Sequence, residues 1–542
     1  MSLRMIQHSH SALITRNYCT SSRYYLTDEI GYNQPMHIQT LLAALEQPPT
    51  GVYQGDSLAM DSEVTALAYD SRKVVKGALF IAVPGVHTDG RLYIKDAAMQ
   101  GAIAVLGELP LDETLEYPIP YIGVHDVRIA LANLACAFYG YPAQHLCTIG
   151  VTGTDGKTTT SNLISALLEH AGKQVGLMTT ANFKLAGQEW ENLARQSTLE
   201  ALEVQQFLHR LLEAGGSHVV IEATSHGLEL QRVHGCNFNV GVVTNITHEH
   251  LDFHKTIDAY RRAKARLFEM LDPARNKGYV CHPIAILNRD DSSYEALKPH
   301  CRTPILDYGI DTPAAVRAVD IRLHAHSTRF RTVLPDNECI IETPLVGRFN
   351  VSNCLAAIAT AYSQGIAVET IVRILATVKG VAGRMERIDA GQPFTVIVDY
   401  AHTPDSLEKV LTILRPVTVG KLIVVFGSAG ERDVQKRPVM GYIAAKMTDF
   451  FVITDEDPRE EDREAILGEI AAGAQAIGKR RGSDFLCIAD RTQAIAAAFA
   501  QARAGDTVLL AGKGHEQSII IGREKLPWDD RRVAREQLGA RE

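Results

Sequence analysis

The glycine-rich segment GVTGTDGKTTT, residues 150–160, has the clearest chemistry in the sequence. It follows an apolar run typical of a strand and precedes a run typical of a helix, which is the setting of a phosphate-binding loop. Backbone N–H groups of such a loop, together with the positive end of the helix, attract phosphate oxygens. We therefore expect Lys157 to pair with nucleotide phosphates and the Thr158 hydroxyl to hold Mg²⁺. Val151 stands where the general pattern has its first glycine, which weakens an assignment to a generic kinase or ATPase.

Three further positions are candidate metal ligands. Glu222 ends the apolar run HVVIE, and a carboxylate beside a phosphate loop suits Mg²⁺, although strand-end glutamates are commonly solvated. The segment TNITHEHLDFHKT, residues 244–256, contains three histidines and two acids. It lacks the HExxH spacing of a helical zinc site, so a phosphate and Mg²⁺ site is favoured over zinc. Lys264 lies in a predicted helix, and without further context a solvated lysine on the helix face is the favoured interpretation.

Apolar runs that end in polar or glycine-rich segments recur along the chain and alternate with helical stretches. LCTIGV, HVVIEA and VGVVTNI are examples in the middle, and FTVIVDYAH, KLIVVFGS and DTVLLAGKG are examples nearer the end. This alternation predicts an α/β fold with mostly parallel sheets, whose ligands bind where the strands end. The 542 residues are enough for three domains, which we place at 36–143, 144–379 and 380–542.

Composition excludes some functions. The net charge of −8 argues against a general nucleic-acid binder, and the absence of an apolar run of about 18 residues predicts no membrane-spanning helix. Nine scattered cysteines without a CxxC pair favour a reducing cytoplasm. Residues 1–27 contain arginine, serine and threonine but no acid, as in organellar transit peptides. We favour an over-called start codon or a disordered tail for residues 1–35.

Several ordered segments together resemble the Mur ligases, and specifically the MurE-type UDP-N-acetylmuramyl-tripeptide synthetases, over roughly residues 36–535. The segments are DSRKVVKGALFIAVPG (70–85), GVTGTDGKTTT (150–160), EATSHGLELQRV (222–233), TNITHEHLDFH (244–254), AYRRAKARLF (259–268), GRFNVSNCLAA (347–357), GVAGRMERID (380–389), DYAHTPDSLEKVL (399–411), GSAGERDVQKRPVMG (427–441), TDEDPR (454–459) and GKGHE (512–516).

The resemblance implies the family's three α/β domains: a UDP-binding domain, a central P-loop ATPase domain and a C-terminal Rossmann-like domain that binds the amino acid. It implies an ATP-dependent ligase of peptidoglycan synthesis. Such an enzyme adds a diamino acid to the D-Glu of UDP-N-acetylmuramoyl-L-Ala-D-Glu through an acyl phosphate, with ATP as substrate and Mg²⁺ as cofactor. We expect a cytoplasmic monomer that binds neither nucleic acid nor membrane.

The resemblance also implies roles for individual residues. Catalytic and metal-binding roles fall to Lys157, Thr158, Glu222, His250 and Lys264, the last as a carbamylated lysine that offers an oxygen ligand. ATP-binding roles fall to Gly153, Thr154, Gly156, Lys157, Thr158, Thr159, Asn350, Asn353, Arg384, Asp399 and His402. The UDP-sugar-peptide would meet Ser71, Arg72, Ser197, Thr198, Ser225 and Arg232. The incoming amino acid would meet Arg432, Asp457, Arg459, Gly512 and Glu516.

Three departures from the family pattern bear on these expectations. Asp155 replaces the usual asparagine of the loop, and both residues tolerate the turn. Residues 197–200 read Ser-Thr-Leu-Glu instead of Thr-Thr-Pro-Glu, which keeps the hydroxyls and loses the proline. Residues 456–459 read Glu-Asp-Pro-Arg, where enzymes selecting meso-diaminopimelate usually have Asp-Asn-Pro-Arg. Arg459 favours the distal carboxylate of diaminopimelate, whereas Asp457 leaves L-lysine or L-ornithine open. We favour meso-diaminopimelate.

Other functions stay open at this point. Another Mur-type enzyme, such as a folylpolyglutamate synthase or the ligase of the next step, is disfavoured by DYAHTPDSLEKVL and by the GERD and KRP segments. A P-loop nucleotide-binding regulator without ligase chemistry would leave GKGHE and TDEDPR unexplained. An inactive homologue is disfavoured because Lys157, Glu222, His250 and Lys264 are all present.

Overall fold

The structure is a computed structural model that describes residues 34–539 apart from eight short gaps. The gaps are residues 54–60, 86–87, 112–113, 115–116, 193–195, 248–250, 272–280 and 325–326. Predicted features at residues 1–33 and at His250 therefore lie outside the described residues. No helix in the described part of the chain is long and apolar enough to cross a membrane.

The N-terminal part folds around a five-stranded sheet with the order β2-β7-β6-β5-β4, in which all neighbours except β2 and β7 are parallel. Its elements are β1 (Met36–His37), α1 (Ile38–Leu42), β2 (Gly51–Tyr53), β3 (Glu63–Val64), β4 (Ala66–Ala68), β5 (Ala78–Ile81), α2 (Ile94–Met99), β6 (Ala104–Glu108), β7 (Tyr121–Val124) and α3 (Val127–Phe138).

The middle part folds around an eleven-stranded sheet with the order β11-β10-β9-β12-β8-β13-β14-β15-β16-β17-β18, parallel from β9 to β16. Its elements are β8 (Cys147–Thr152), α4 (Lys157–His170), β9 (Val175–Met178), β10 (Asn182–Leu185), β11 (Gln188–Glu191), α5 (Ala201–Glu213), β12 (His218–Glu222), α6 (Ser225–Glu229), β13 (Val240–Val243), α7 (Leu251–His254), α8 (Ile257–Glu269), β14 (Ile284–Asn288), α9 (Tyr294–Leu297), β15 (Ile305–Gly309), β16 (Val316–Leu323), β17 (Thr328–Val333), β18 (Glu338–Thr343), α10 (Arg348–Ser363) and α11 (Val368–Leu375).

The C-terminal part folds around a six-stranded sheet with the order β19-β20-β24-β21-β22-β23, parallel except at β19. Its elements are β19 (Glu386–Ile388), β20 (Thr395–Asp399), α12 (Pro404–Leu414), β21 (Leu422–Phe426), α13 (Lys436–Met447), β22 (Phe450–Ile453), α14 (Arg463–Gln475), β23 (Phe485–Cys487), α15 (Arg491–Gln501), β24 (Thr507–Ala511), β25 (Ser518–Ile521), β26 (Glu524–Pro527) and α16 (Asp530–Gln537).

The predicted α/β fold class with mostly parallel sheets is confirmed. The strands are continuous apolar runs because the middle and C-terminal sheets each bury both faces, one against each of two separate hydrophobic clusters. In the middle sheet β8 lies between β12 and β13, so the loop after β8 and the residue that ends β12 meet at the same edge. That edge carries the phosphate loop and Glu222.

One feature of the middle part was not predicted from the scattered cysteines. Cys147, at the start of β8, and Cys281, three residues before β14, form a disulfide with their Cα atoms 5.9 Å apart. The pair lies at the amino ends of these strands, at the sheet edge opposite to the phosphate loop.

Candidate functional site

The phosphate loop connects β8 to α4 as the sequence predicts. Gly156 caps the start of α4 with a φ of 81°, a left-handed conformation that glycine adopts without strain. The Lys157 Nζ donates a hydrogen bond to the Thr154 carbonyl oxygen at 2.7 Å. Gly153, Thr154 and Thr158 are buried beside it, whereas Thr159 is half-buried on the first turn of the helix.

The Glu222 carboxylate is buried directly beside this loop, with 1% of the residue exposed. One oxygen, Oε2, accepts hydrogen bonds from the Thr158 hydroxyl at 2.9 Å and the Thr180 backbone N–H at 3.0 Å. The other, Oε1, accepts from the Thr180 hydroxyl at 2.9 Å. A carboxylate and a hydroxyl in contact are the oxygen ligands that Mg²⁺ prefers, so this pair fits the predicted metal.

Lys264, on α8, is a buried residue and not a solvated surface lysine, since 1% of it is exposed. Its Nζ donates to the Gly153 carbonyl oxygen at 2.6 Å and lies 4.4 Å from the centre of the Tyr260 ring. The Tyr260 hydroxyl lies 3.0 Å from the Thr154 hydroxyl. The helix therefore holds Lys264 against the phosphate loop. Among the residues that the structure describes, no group of three or more His, Cys, Asp or Glu could hold a metal ion.

Helix α10 covers the other side of the loop. The Asn353 side chain donates to Asn350 at 3.2 Å and accepts from the Thr160 hydroxyl at 3.4 Å. A Cβ added to Gly156 would lie 2.3 Å from Asn353 Oδ1. Both predicted asparagines thus lie at the loop, and the close approach explains why residue 156 is glycine.

Four of the residues predicted for the UDP-sugar-peptide lie together in the middle part. The Thr198 hydroxyl donates to the Glu222 carbonyl oxygen at 2.9 Å, and Ser225 begins α6 nearby. Arg232 donates to the Thr198 carbonyl oxygen and pairs with Glu200 at 2.8 Å. Ser197 is half-buried next to Thr198.

Ser71 and Arg72 form a turn in the N-terminal part, Ser71–Lys73, that faces α5. Asp70 caps the turn, and its hydrogen bonds from Arg72 hold the pKa of the Asp70 carboxyl below its usual value. Lys73 pairs with Glu203 at 3.5 Å. Ser71 is buried, while the Arg72 side chain is 86% exposed and pairs with Asp70 at 2.7 Å.

Three predicted ATP-binding residues of the C-terminal part cluster around Tyr400. Asp399, buried at the end of β20, accepts the backbone N–H groups of Met385 and Ala401, and burial raises the pKa of its carboxyl although the Arg384 cation opposes the change. The guanidinium of Arg384 lies 4.9 Å from the centre of the Tyr400 ring, and its buried Nε has no hydrogen-bond partner among the described residues. Burial lowers the pKa of His402.

A cavity of 540 Å³ lies between the middle and C-terminal parts. The middle part contributes Thr180, which holds Glu222, together with Glu191 and Asn192. The C-terminal part contributes four of the five residues predicted to bind the amino acid, which are Arg432, Asp457, Arg459 and Glu516. The fifth, Gly512, lies beside Glu456 of the same cavity, 3.5 Å away measured from a Cβ added to the glycine. Thr180, which binds Glu222 beside the phosphate loop, therefore lines the same cavity as the predicted amino-acid site.

The charge of Asp457 is compensated within the protein. Its Oδ1 accepts hydrogen bonds from the Nζ of Lys513 at 2.9 Å and from the backbone N–H of Ile520 at 3.0 Å. Lys513 is fully buried and also donates to Glu516. The Asp457 carboxylate thus has a buried cation as its partner, and its predicted role towards a substrate ammonium group stays a prediction.

Arg459, unlike Asp457, has a buried side-chain group without a partner among the described residues. It holds a φ of 56° and hydrogen-bonds through its backbone to Ile520, which fixes the direction of the side chain. Its guanidinium pairs with Glu431 at 3.6 Å, and its buried Nε has no hydrogen-bond partner among the described residues. A guanidinium with free donors in a cavity suits a carboxylate of the ligand.

Three stretches of the chain match models of known protein families. Residues 63–139 match the Mur ligase family, catalytic domain; residues 151–361 match the Mur ligase middle domain; and residues 383–514 match the Mur ligase, glutamate ligase domain. A UDP-N-acetylmuramyl-tripeptide synthetase of Roseiflexus sp. (strain RS-1) is 50% identical to the chain, covering 88% of this chain and 95% of that protein. The chain belongs to the Mur ligase family.

Two further relatives, one of them a solved structure, are ligases by name. A UDP-N-acetylmuramoyl-L-alanyl-D-glutamate--2,6-diaminopimelate ligase of Syntrophomonas wolfei subsp. wolfei is 42% identical, covering 88% of this chain and 95% of that protein. A solved structure with the same ligase name is 30% identical with a TM-score of 0.63, covering 93% of this chain and 99% of that chain. The predicted three-domain Mur ligase architecture is confirmed.

Family membership decides between the classes of function left open by the sequence. The Mur ligase is an ATP-dependent, ADP-forming ligase of peptidoglycan synthesis, with ATP as a substrate. A nucleotide-binding regulator without ligase chemistry is not favoured, because the relatives match over the C-terminal part as well as the phosphate loop.

Sequence reasoning about the Mur ligase missed Thr180 and Glu191, which line the cavity, and Lys513, which is fully buried and binds Asp457. Lys513 was overlooked although it lies in GKGHE, because its partner Asp457 is 56 positions away. Thr180 follows β9 and Glu191 ends β11, and neither residue lies in a recognised motif. The signal for Thr180 was its place at the end of a strand neighbouring β12.

Proposed function

We propose that this Mur ligase adds meso-diaminopimelate to the γ-carboxylate of the D-Glu of UDP-N-acetylmuramoyl-L-Ala-D-Glu. The observation that carries the proposal is the shared cavity, which extends from Thr180 beside the phosphate loop to Arg459 in the C-terminal part. A ligase must bring an activated carboxylate and an amine together in one water-poor space. We also propose the division into residues 36–143 for UDP, 144–379 for ATP and 380–542 for the amino acid.

The first step activates the carboxylate. An oxygen of the D-Glu γ-carboxylate attacks the γ-phosphorus of ATP, the bond to ADP breaks, and an acyl phosphate forms. Lys157 and the backbone N–H groups of the loop neutralise charge on the transferring group. Arg384 would reach the nucleotide from the C-terminal part through its unpaired Nε.

The second step forms the amide. The amino group of diaminopimelate attacks the acyl carbon, and phosphate leaves with the oxygen that belonged to the carboxylate. Thr198, Ser225 and Arg232 would hold the peptide end of the nucleotide substrate, while Ser71 and Arg72 would lie by the UDP. Closure of the cavity keeps out water, which otherwise hydrolyses the acyl phosphate.

Mg²⁺ is the proposed cofactor, held by Thr158 and Glu222, with His250 and a carbamylated Lys264 as further ligands. When bound, it offsets the negative charge of the phosphates during transfer. Lys264 is buried against the Gly153 carbonyl oxygen, so carbamylation would place carboxylate-like oxygens at the loop. We further propose that the enzyme works as a monomer in the cytoplasm.

The choice of diaminopimelate rests on the charges of the cavity. Arg459 and Arg432 offer guanidinium groups for two carboxylates, whereas L-lysine and L-ornithine have one carboxylate each. The Asp457 carboxylate, which would have favoured a second ammonium group, is engaged by Lys513. Glu456, whose buried Oε2 has no hydrogen-bond partner among the described residues, remains for the distal ammonium group of diaminopimelate.

The proposal is tested by phosphate release from Mg-ATP with the purified protein and UDP-N-acetylmuramoyl-L-Ala-D-Glu. Diaminopimelate, L-lysine and L-ornithine are supplied one at a time, and the mass of each product is measured. We expect release that requires both the nucleotide dipeptide and diaminopimelate. Release with lysine or ornithine in preference would overturn the choice of amino acid, and release independent of any amino acid would overturn the ligase function.

A further inference from the structure

Glu191 is a carboxylate of the middle part that faces the C-terminal part at the end of β11. The backbone N–H of Gln517 donates to it, while its Oε2 is buried without a hydrogen-bond partner among the described residues. Burial raises the pKa of Glu191 to about 7; the Arg531 cation opposes this change, and Glu516 and Asp529 add to it. A half-buried carboxylate with an unused acceptor is costly unless a ligand satisfies it.

The position of Glu191 places it at the reacting end of the cavity. It pairs with Asn182 across the β10–β11 hairpin, and the next residue, Asn192, donates its backbone N–H to Ala181 at 3.0 Å. Thr180, one residue before Ala181, holds the Glu222 carboxylate. Among the cavity residues of the middle part, Thr180, Glu191 and Asn192, the ionisable one is Glu191.

The other carboxylates of the cavity lie in the C-terminal part and have different surroundings. Asp457 and Glu516 both accept hydrogen bonds from the buried Lys513. Glu456 follows β22, and the Lys436 and Lys513 cations act on it. With these three groups placed around the proposed distal end of the amino acid, Glu191 is the carboxylate of the opposite wall.

We propose that Glu191 binds the attacking amino group of the incoming amino acid and accepts its proton as the amide forms. This inference rests on the proposed function, because it assigns the acceptor for the second step of that reaction. Neither a motif nor the resemblance pointed to this residue. It would make the middle part a contributor to amino-acid binding, alongside the C-terminal part.

The proton and electron pairs balance as follows. The ammonium group first loses one proton to solvent, which frees the nitrogen lone pair. The nitrogen then attacks the acyl carbon, and the new C–N bond makes a remaining N–H acidic. That proton passes to the Glu191 carboxylate, the C–O bond breaks, and phosphate leaves with the bonding electrons. The Glu191 proton returns to solvent when the product leaves.

The test compares two nucleophiles with the full-length Glu191→Gln protein. Hydroxylamine is uncharged at neutral pH, captures acyl phosphates as hydroxamates and needs no residue to bind a diamino acid. Since a positioned base contributes about 100-fold or more, we expect Glu191→Gln to lower kcat/KM for the diamino acid about 100-fold. Hydroxamate formation from UDP-N-acetylmuramoyl-L-Ala-D-Glu should stay within about 2-fold of wild type.

The matched control is Glu189→Gln, on the same strand. The Glu189 carboxylate is 54% exposed and faces Lys184 and Asn182, away from the 540 Å³ cavity. We expect it to keep both activities. Glu191→Asp, which retains a carboxylate on a shorter side chain, should recover part of the loss, and circular dichroism melting checks that all variants fold.

The outcomes separate this inference from the proposed function. Equal losses with both nucleophiles, or wild-type rates in Glu191→Gln, would overturn the role of Glu191. A wild-type protein that forms neither the amide nor the hydroxamate would instead overturn the proposed function. The inference is supported if Glu191→Gln loses activity with the diamino acid but not with hydroxylamine. The rate with the diamino acid should also rise near pH 7 in the wild type and not in Glu191→Gln.

Discussion

Lys264 is the residue whose chemistry depends most on its surroundings. A lysine in solvent has no desolvation cost, whereas Lys264 is buried beside the phosphate loop and its Nζ donates to the Gly153 carbonyl oxygen. Carbamylation would explain why a cation occupies a proposed metal site. The helix sequence did not predict the burial of Lys264, since the same spacing of residues fits a lysine on a solvated helix face.

Replacing Lys264 by alanine should lower amino-acid-dependent phosphate release at least about 100-fold, because a group that stabilises the transferring phosphoryl charge is lost. A short carboxylic acid such as acetate should restore part of the activity by supplying the missing oxygen ligands. Lys264→Arg, which cannot be carbamylated, should stay inactive with or without acetate. Full activity of the alanine variant would refute carbamylation.

We propose that Arg459, and not Asp457, selects the amino acid that binds in the cavity. Removing a charge-assisted hydrogen bond costs roughly 1.5–3 kcal/mol, so Arg459→Ala should raise the KM for diaminopimelate about 10- to 100-fold. Asp457→Asn should keep the preference for diaminopimelate over lysine, because Lys513 already compensates the native charge. Steady-state kinetics of both variants with diaminopimelate and with lysine measure this preference. A switch to lysine in Arg459→Ala alone would support Arg459 as the selecting residue. A switch in Asp457→Asn alone would assign the selection to Asp457 instead.

Glu456 gives the protein a pH-dependent stability whose sign follows from burial. Burial raises the pKa of its carboxyl from 4.5 to about 7, so the folded protein binds this proton more tightly than the unfolded chain does. The contribution to stability is complete below pH 4.5 and is lost as the pH rises to about 7. At about 1.4 kcal/mol for each pH unit between the two pKa values, the loss reaches about 3 kcal/mol.

The Glu456→Gln variant should therefore lose less stability than the wild type when the pH is raised from 5 to 8, a range that includes the raised pKa of about 7. Thermal melting followed at both pH values measures the difference. The gap between the two proteins should widen at the higher pH, and melting temperatures that fall in parallel would contradict the burial of a titrating carboxyl. Other titrating groups are present in both proteins, so the comparison isolates Glu456 together with the charges that act on it.

At the scale of elements, the meeting of α4 and α10 fixes the phosphate loop. Gly156→Ala adds a Cβ 2.3 Å from Asn353 Oδ1 at a φ of 81°, so the loop must shift. We expect a stability loss of about 1–3 kcal/mol and at least about 10-fold weaker ATP binding. Thermal melting and nucleotide titration measure the two effects.

Gly172→Ala is the matched control for that variant. Gly172 has a φ of 83° just after α4, but a Cβ there meets nothing within 4 Å. It should show the backbone strain of about 1–2 kcal/mol without the loss of ATP binding. Equal ATP binding in both variants would mean that the contact with Asn353 does not shape the loop.

The elements differ in how far the sequence predicts them. The parallel strands were recognisable because both of their faces are buried, which produces uninterrupted apolar runs such as HVVIE and KLIVVF. The β10–β11 hairpin was not recognised, because its strands are short and Glu189 and Glu191 interrupt the apolar pattern. The cavity wall that carries Glu191 was missed for that reason.

At the scale of the whole molecule, contacts between the parts complete the site. Lys409 of α12 pairs with Asp155 of the phosphate loop at 2.8 Å, so the aspartate that departs from the family pattern joins the middle and C-terminal parts. Both groups are substantially exposed, and such pairs contribute little to stability. Pairings of this kind join residues far apart in the chain, so the sequence alone did not reveal them.

The central claim is that an oxygen of the D-Glu γ-carboxylate is activated by phosphate and replaced by the amine. It is tested most directly by a heavy oxygen isotope placed in that carboxylate of UDP-N-acetylmuramoyl-L-Ala-D-Glu, with Mg-ATP and diaminopimelate supplied to the wild-type protein. The account predicts that each phosphate released carries one labelled oxygen and that the product mass corresponds to one added diaminopimelate. Unlabelled phosphate, or labelled phosphate without the amide product, would contradict it.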